Sequence, residues 1–155
     1  MEVVMTAKLQ KQYVIDQNIL DTLNMSLELE MAGVVRYTHY SFMVFGFSRI
    51  PICKWMRSQA EECLQHANLI GEVITHFDQH PTLKIGKLLE THKHNIRNIL
   101  EESLEHELQS INLYYTLLQQ SEGKSLFIEE FAKKMLLEEE SHIGEIKKML
   151  KSHSE

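Results

Sequence analysis

Five residues with metal-binding side chains interrupt apolar helical patterns near their middles: Glu30, His66, Glu107, Glu139 and His142. A carboxylate taken out of water needs hydrogen-bond partners or a cation. Carboxylate oxygens with two imidazoles suit iron or manganese, with zinc as an alternative occupant. Glu139 and His142 stand at i, i+3, so one helix face carries both.

A single in-stripe glutamate can mean only that the stripe is drawn too wide. The levels of these residues argue otherwise. In an antiparallel hairpin, residues equally far from the turn lie side by side. Glu107 and Glu139 are centred on Gly123, and Glu30 and His66 on Ser48. Both centres fall in breaks of the pattern, so each hairpin carries its polar residues to one level, about 25 Å from its turn at 1.5 Å per residue. The hairpins also repeat each other. Glu30, Gly33 and Tyr37 match Glu107, Ser110 and Tyr114: an acid, a small residue at +3 and a tyrosine at +7. Single glutamates from two helices, with Glu-x-x-His pairs from the other two, make the donor pattern of di-iron carboxylate bundles. Adjacent cations bridged by carboxylates would share the charge burden.

Four helices must position this set. Gly46-Phe47-Ser48, Asp78-Gln79-His80-Pro81 and Ser121 to Ser125 divide the chain into segments 16–46, 50–78, 86–121 and 125–152. Pro51 suits the first turn of the second segment. Each segment has an inward stripe at 3–4 spacing, such as Ile52, Met56, Gln59, Cys63, His66 and Ile70. Short first and third links make antiparallel hairpins, and the longer middle link crosses over the bundle. The expected architecture is all-α: a four-helix bundle over 16–152 preceded by an arm, 1–15.

With 155 residues, 43% apolar and 25% charged, the chain fits one domain with a real core. A net charge of −6 argues against nucleic acid as a partner. No run of 18 apolar residues exists, so no membrane span is expected, nor does the start read as a signal peptide. Cys53 and Cys63, ten positions apart in one helix, are about 15 Å apart and cannot bond each other there. A reducing cytoplasm is the simplest location.

The run Ala60-Glu61-Glu62-Cys63-Leu64-Gln65-His66-Ala67 resembles the second helix of bacterioferritins, and Leu136-Leu137-Glu138-Glu139-Glu140-Ser141-His142-Ile143 their fourth. Pro81 and Ile85-Gly86-Lys87-Leu88 are similar to their middle loop. The resemblance spans roughly 16–150. It implies a ferritin-like subunit that binds Fe(II) at a di-iron site and oxidises it with oxygen or peroxide. Such subunits dimerise and build into a homo-oligomeric shell that stores iron. The implied ligands are Glu30, His66, Glu107, Glu139 and His142, with oxidation resting on Glu30, Glu107 and Glu139.

Three departures matter. The resemblance asks for a glutamate three before His66, where Cys63 stands. Glu62 is adjacent but about 100° around the helix. Either Glu62 reaches the metals, or Cys63 is a ligand, or the site is impaired. A buried cysteine often serves only as a small apolar group. Leu64 occupies the position of the haem methionine, so no haem is expected by that route; Met25, Met31 and Met56 read as packing residues. The sequence ends 13 residues after His142, without the fifth helix of bacterioferritins. That resembles the shorter Dps and thioferritin subunits and leaves shell size open.

Other residues carry weaker signals. His106 adjoins Glu107, but the stripe favours Glu107. Tyr37 and Tyr114 read as packing residues with hydroxyl partners. His76, His80, His92 and His94 read as solvated loop histidines, with a surface metal site as the alternative. Three functions stay in play: a ferroxidase and storage subunit, a shell member with a degenerate site, and another di-iron oxidase.

Overall fold

The structure, a computed structural model, describes residues 13–88 and 90–151. Among these, four helices form a bundle without strands: α1 Gln17–Met43, α2 Arg49–His76, α3 Ile96–Ser121 and α4 Leu126–Leu150. Each start has a local cause. The side chains of Asp16, Asn95 and Ser125 accept hydrogen bonds from the amides of Ile19, Asn98 and Ile128. Pro51 sits in the first turn of α2, where its missing N–H breaks no helical bond. Gly46 and Gly123, at φ +92° and +71°, make the left-handed turns of the two hairpins. Residues 1–12 of the expected arm lie outside the described residues. Ile15 packs on the core and Lys124 pairs with Asp16 at 2.8 Å.

The third helix starts ten residues later than the sequence pattern suggests. Residues 79–95, apart from the undescribed Leu89, contain no helix and follow α1 instead. Thr82 donates from its amide to Asn24 Oδ1 and from its hydroxyl to Glu28, and the Gly86 amide donates 2.8 Å to the Glu28 carbonyl. A Cβ on Gly86 would stand 2.9 Å from that carbonyl oxygen, so a side chain there would push the crossover off α1. These α1 contacts outcompete helix formation, and Asn95 sets the actual start of α3.

The apolar core is divided in two. One cluster holds Ile19, Leu23, Ile70, Ile74, Leu117, Ile128 and Met135. The other holds Tyr37, Val44, Met56, Ile99, Leu100 and Ile146. Each fully buried Ile or Leu contributes about 1.5–3 kcal/mol relative to exposure. These two clusters hold the bundle closed around the polar layer between them. Met56 is buried and Met31 packs on the core as expected, but Met25 is 54% exposed, on a side of α1 that faces away from the stripe. Cys53 and Cys63 are free and buried. No helix among the described residues is long and apolar enough to cross a membrane.

Candidate metal centre

The layer between the two apolar clusters contains buried Glu30, His66, Glu107 and Glu139, with His142 at its edge. The structure gathers them into two groups. Donor atoms of Glu30, His66 and Glu139 lie within 4.8 Å of one another, as do those of Glu107, Glu139 and His142. Glu139 belongs to both. It is 1% exposed, and its Oε2 has no hydrogen-bond partner. An orphaned, buried carboxylate oxygen facing imidazoles and further carboxylates fits a divalent cation better than an apolar core.

The sequence repeat acquires a physical meaning here. The Tyr114 hydroxyl donates to Glu30 at 2.8 Å, and the Tyr37 hydroxyl donates to Glu107. Each tyrosine thus serves the acid of the other antiparallel helix, which requires the tyrosine at +7 in both. Ser110, the small residue at +3, also donates to Glu30 at 3.4 Å. The expected hydroxyl partners of the two tyrosines are the acids themselves.

A second reciprocal pair joins α2 and α4. His66 presents Nδ1 to Glu139 and Glu30, at 3.1 and 3.4 Å, and Nε2 to Glu138 at 2.7 Å. His142 presents Nδ1 to Glu139 at 3.8 Å and Nε2 to Glu62 at 2.5 Å. A carboxylate on the far ring nitrogen fixes the tautomer and aims the near nitrogen at the centre. Glu62 therefore orients His142 and stands in neither group of three. Glu138 does the same for His66. Its signal is the spacing: Glu62 and His66 recur as Glu138 and His142 at an offset of 76. At that offset Cys63 corresponds to Glu139. The bundle has approximate twofold symmetry, broken where one half carries a thiol instead of a carboxylate.

Cys63 also stands outside both groups of three. Its Sγ lies 2.6 Å from where a Cβ on Gly33 would be, and His106 Nε2 lies 2.8 Å from that point. Gly33 thus makes room for both. His106 is as buried as Glu107, but its Nδ1 faces Arg36 at 3.2 Å, and its ring stands edge-on to Tyr37. Burial and the Arg36 charge push its pKa down to about 4, so the ring is neutral. Alanine at position 33 should destabilise the fold by about 1–3 kcal/mol through overpacking, partly offset by better helix propensity. Thermal melts of Gly33→Ala should show this loss, and adding Cys63→Ala should recover part of it. Full stability in the single variant would overturn the overpacking argument.

The charges in the layer are interdependent. Burial, with the neighbouring Glu139, raises the Glu107 pKa well above the carboxylate range, and burial raises that of Glu30. Burial also opposes ionisation of Glu139, yet the neighbouring Glu107, His142 and His66 outweigh it and hold its pKa low. Desolvation opposes charge on His66, but Glu139 and Glu30 push its pKa up to about 11. Burial keeps the Cys63 thiol protonated, reinforced by the charges of Glu30, Glu107 and Glu139. Without a cation, Glu139 is the firm carboxylate of the layer beside the His66 imidazolium, and burial favours the protonated form of Glu107.

Comparison with solved structures gives the same fold. A ferritin-like di-iron-carboxylate protein from Bacillus anthracis superposes with TM-score 0.81 at 20% identity, over 95% of this chain and all of its own. A dodecameric thioferritin from Bacteroides fragilis gives 0.79 at 23% identity, over 91% and 88% of the two chains. A bacterioferritin from Mycobacterium tuberculosis gives 0.80 at 22%, over 88% and 86%. Among curated proteins no sequence matches. The family model of the ferritin-like domain matches residues 20–154, and with that match over most of its length the chain belongs to the ferritin-like family.

Proposed function

We propose that this protein binds two Fe(II) ions in the polar layer, oxidises them, and passes Fe(III) to storage in a homo-oligomeric shell in the cytoplasm. The observation that carries the reading is the pair of three-residue groups sharing Glu139, whose Oε2 lacks any partner. In this reading Glu30, His66 and Glu139 hold one ion, and Glu107, His142 and Glu139 the other. Iron is the substrate. Each Fe(II) gives up one electron; two electrons and two protons convert dioxygen to hydrogen peroxide, or hydrogen peroxide to two waters.

The chain's own residues prepare that reaction. Binding displaces the proton on Glu107 and those on the near nitrogens of the imidazoles, because only the deprotonated forms are ligands. Tyr37 and Tyr114 keep the two acids turned inward while this happens. Glu62 and Glu138 lie half-exposed at the rim and can accept protons from His142 and His66. Anaerobic loading of the purified protein should give about two Fe(II) per chain, followed by rapid ferric absorbance and retained iron on admitting air. Protein that takes up no Fe(II) would end the proposal.

A second reading rests on the thiol at the position equivalent to Glu139. With that carboxylate missing, the site would bind metal but oxidise it slowly, and the protein would serve as a metal-binding shell member. Cys63→Glu then supplies the missing donor, and Fe(II) oxidation should rise at least about tenfold, the scale on which metal sites respond to lost partners. An unchanged or lower rate in a folded variant would count against this reading and leave the native site as the competent one.

A further inference from the structure

A second set of metal-binding side chains lies where the crossover meets α1. His39 is on α1, about 13 Å along the axis from Glu30. Glu90 and His94 come from the end of the crossover, just before the Asn95 cap of α3. The Glu90 carboxylate reaches both rings: Oε2 is 2.8 Å from His39 Nε2, and Oε1 is 3.3 Å from His94 Nε2. One donor atom from each residue lies within 4.8 Å of the other two. His92 stands beside them, with Nδ1 3.8 Å from the same carboxylate.

Two features distinguish this cluster from solvated loop histidines. His39 Nε2 is shielded from solvent, yet it makes no hydrogen bond of acceptable geometry. It is near Glu90 but misaligned with it, leaving a buried ring nitrogen without a directional partner. The backbone also fixes the cluster. His92 adopts φ +56°, a left-handed conformation uncommon for a residue with a side chain. In that turn its amide donates 2.6 Å to Glu90 Oε1, holding the carboxylate toward the two rings. Thr91 donates to Glu102 on α3, anchoring the same turn to the bundle.

We propose that His39, Glu90 and His94 form a second metal site for a divalent transition ion of the zinc or ferrous class, clipping the crossover to α1. Two imidazoles and one carboxylate are three protein donors, which leave a coordination position for water. The ion would satisfy the stranded His39 nitrogen and tie together segments 55 residues apart in sequence. The site shares no residue with the polar layer and does not depend on what that layer does.

The test compares the full-length protein with the His39→Ala/His94→Ala double variant, using Zn(II) as probe. After equilibration and gel filtration, metal analysis should show about one zinc fewer per chain in the variant, as expected for loss of one three-donor site. Circular dichroism should show equal helicity, since both side chains lie on the surface. Co(II) titration should give visible absorption in the native protein that the variant lacks. Fe(II) titration in the two proteins distinguishes a site that also takes ferrous iron from one restricted to zinc. Fe(II) oxidation in the polar layer should not change. Equal zinc content and equal Co(II) spectra in the two proteins would overturn the proposal. So would an equal loss of Fe(II) oxidation, which would place the affected ion in the central layer.

Discussion

Glu139→Ala is expected to lower Fe(II) oxidation on the order of 100-fold or more, beyond the effect of losing either other buried acid. Removing residues that merely orient metal ligands already costs about 10–100-fold in affinity or activity. Glu139 contributes to both groups of three, whereas Glu30 and Glu107 contribute to one each. The variants should therefore be graded. Glu30→Ala and Glu107→Ala should each retain close to one tightly bound Fe(II) per chain, and Glu139→Ala should retain none. Anaerobic Fe(II) titration measures that stoichiometry, and stopped-flow ferric absorbance measures the rate. Glu139→Gln keeps the side-chain volume, so its loss of binding would separate a missing ligand from a cavity. Glu140→Ala, one residue away and exposed, should behave like the native protein. Equal, partial losses in all three buried variants would mean that Glu139 is not shared between two ions.

The polar layer was largely legible in the sequence because antiparallel hairpins convert residue number into height. Glu30, His66, Glu107 and Glu139 could be set at one level by counting from the two turns, and the structure gathers them there. The repeat of acid, small residue and tyrosine was also visible. Its cause was not, because Tyr37 and Tyr114 each act on the other helix, and a pattern along one helix does not show its partner. The places of Glu62 and Glu138 beside the imidazoles were not legible for a related reason. They sit off the inward stripe, but the imidazole ring is long enough to join the inner layer to a carboxylate at the rim. The crossover was least legible. Its path depends on the Gly86 and Thr82 contacts with α1, and neither leaves a periodic trace. The cluster of His39, Glu90 and His94 depends on that path, so no spacing rule could have assembled it.

Glu107→Gln should separate the stability of the metal-free protein from its capacity for iron. Without a cation, the Glu107 carboxyl is held protonated by burial and by Glu139, and glutamine is close to its isostere. The amide can accept from Tyr37 and donate to Glu139, so the layer keeps its hydrogen bonds. The pH dependence follows from the signs. Glu107 and Glu30 have folded pKa values raised above the unfolded one, so their contribution is complete at low pH and declines as pH rises toward the folded values. His66 and His142, also raised, contribute fully below about 6.5 and lose that contribution as pH climbs. Glu139, lowered, loses its contribution only as pH falls below the carboxylate range. His106, lowered to about 4, works the other way and adds stability as pH rises to about 6.5. Above that its contribution is complete and only the declining terms change, so the metal-free protein should melt at a lower temperature at pH 8 than at pH 6.5. Each group that titrates between the folded and unfolded states adds up to about 1.4 kcal/mol per pH unit. Glu107→Gln removes one such group, so its melting temperature should fall less steeply with pH and exceed that of the native protein at pH 8. Added Fe(II) should stabilise the native protein more as pH rises, because binding displaces those protons, and should stabilise the variant less. A variant that melts below the native protein at pH 8 with an unchanged slope would show that Glu107 is already ionised without metal, and that a bound cation is not needed to strip its proton.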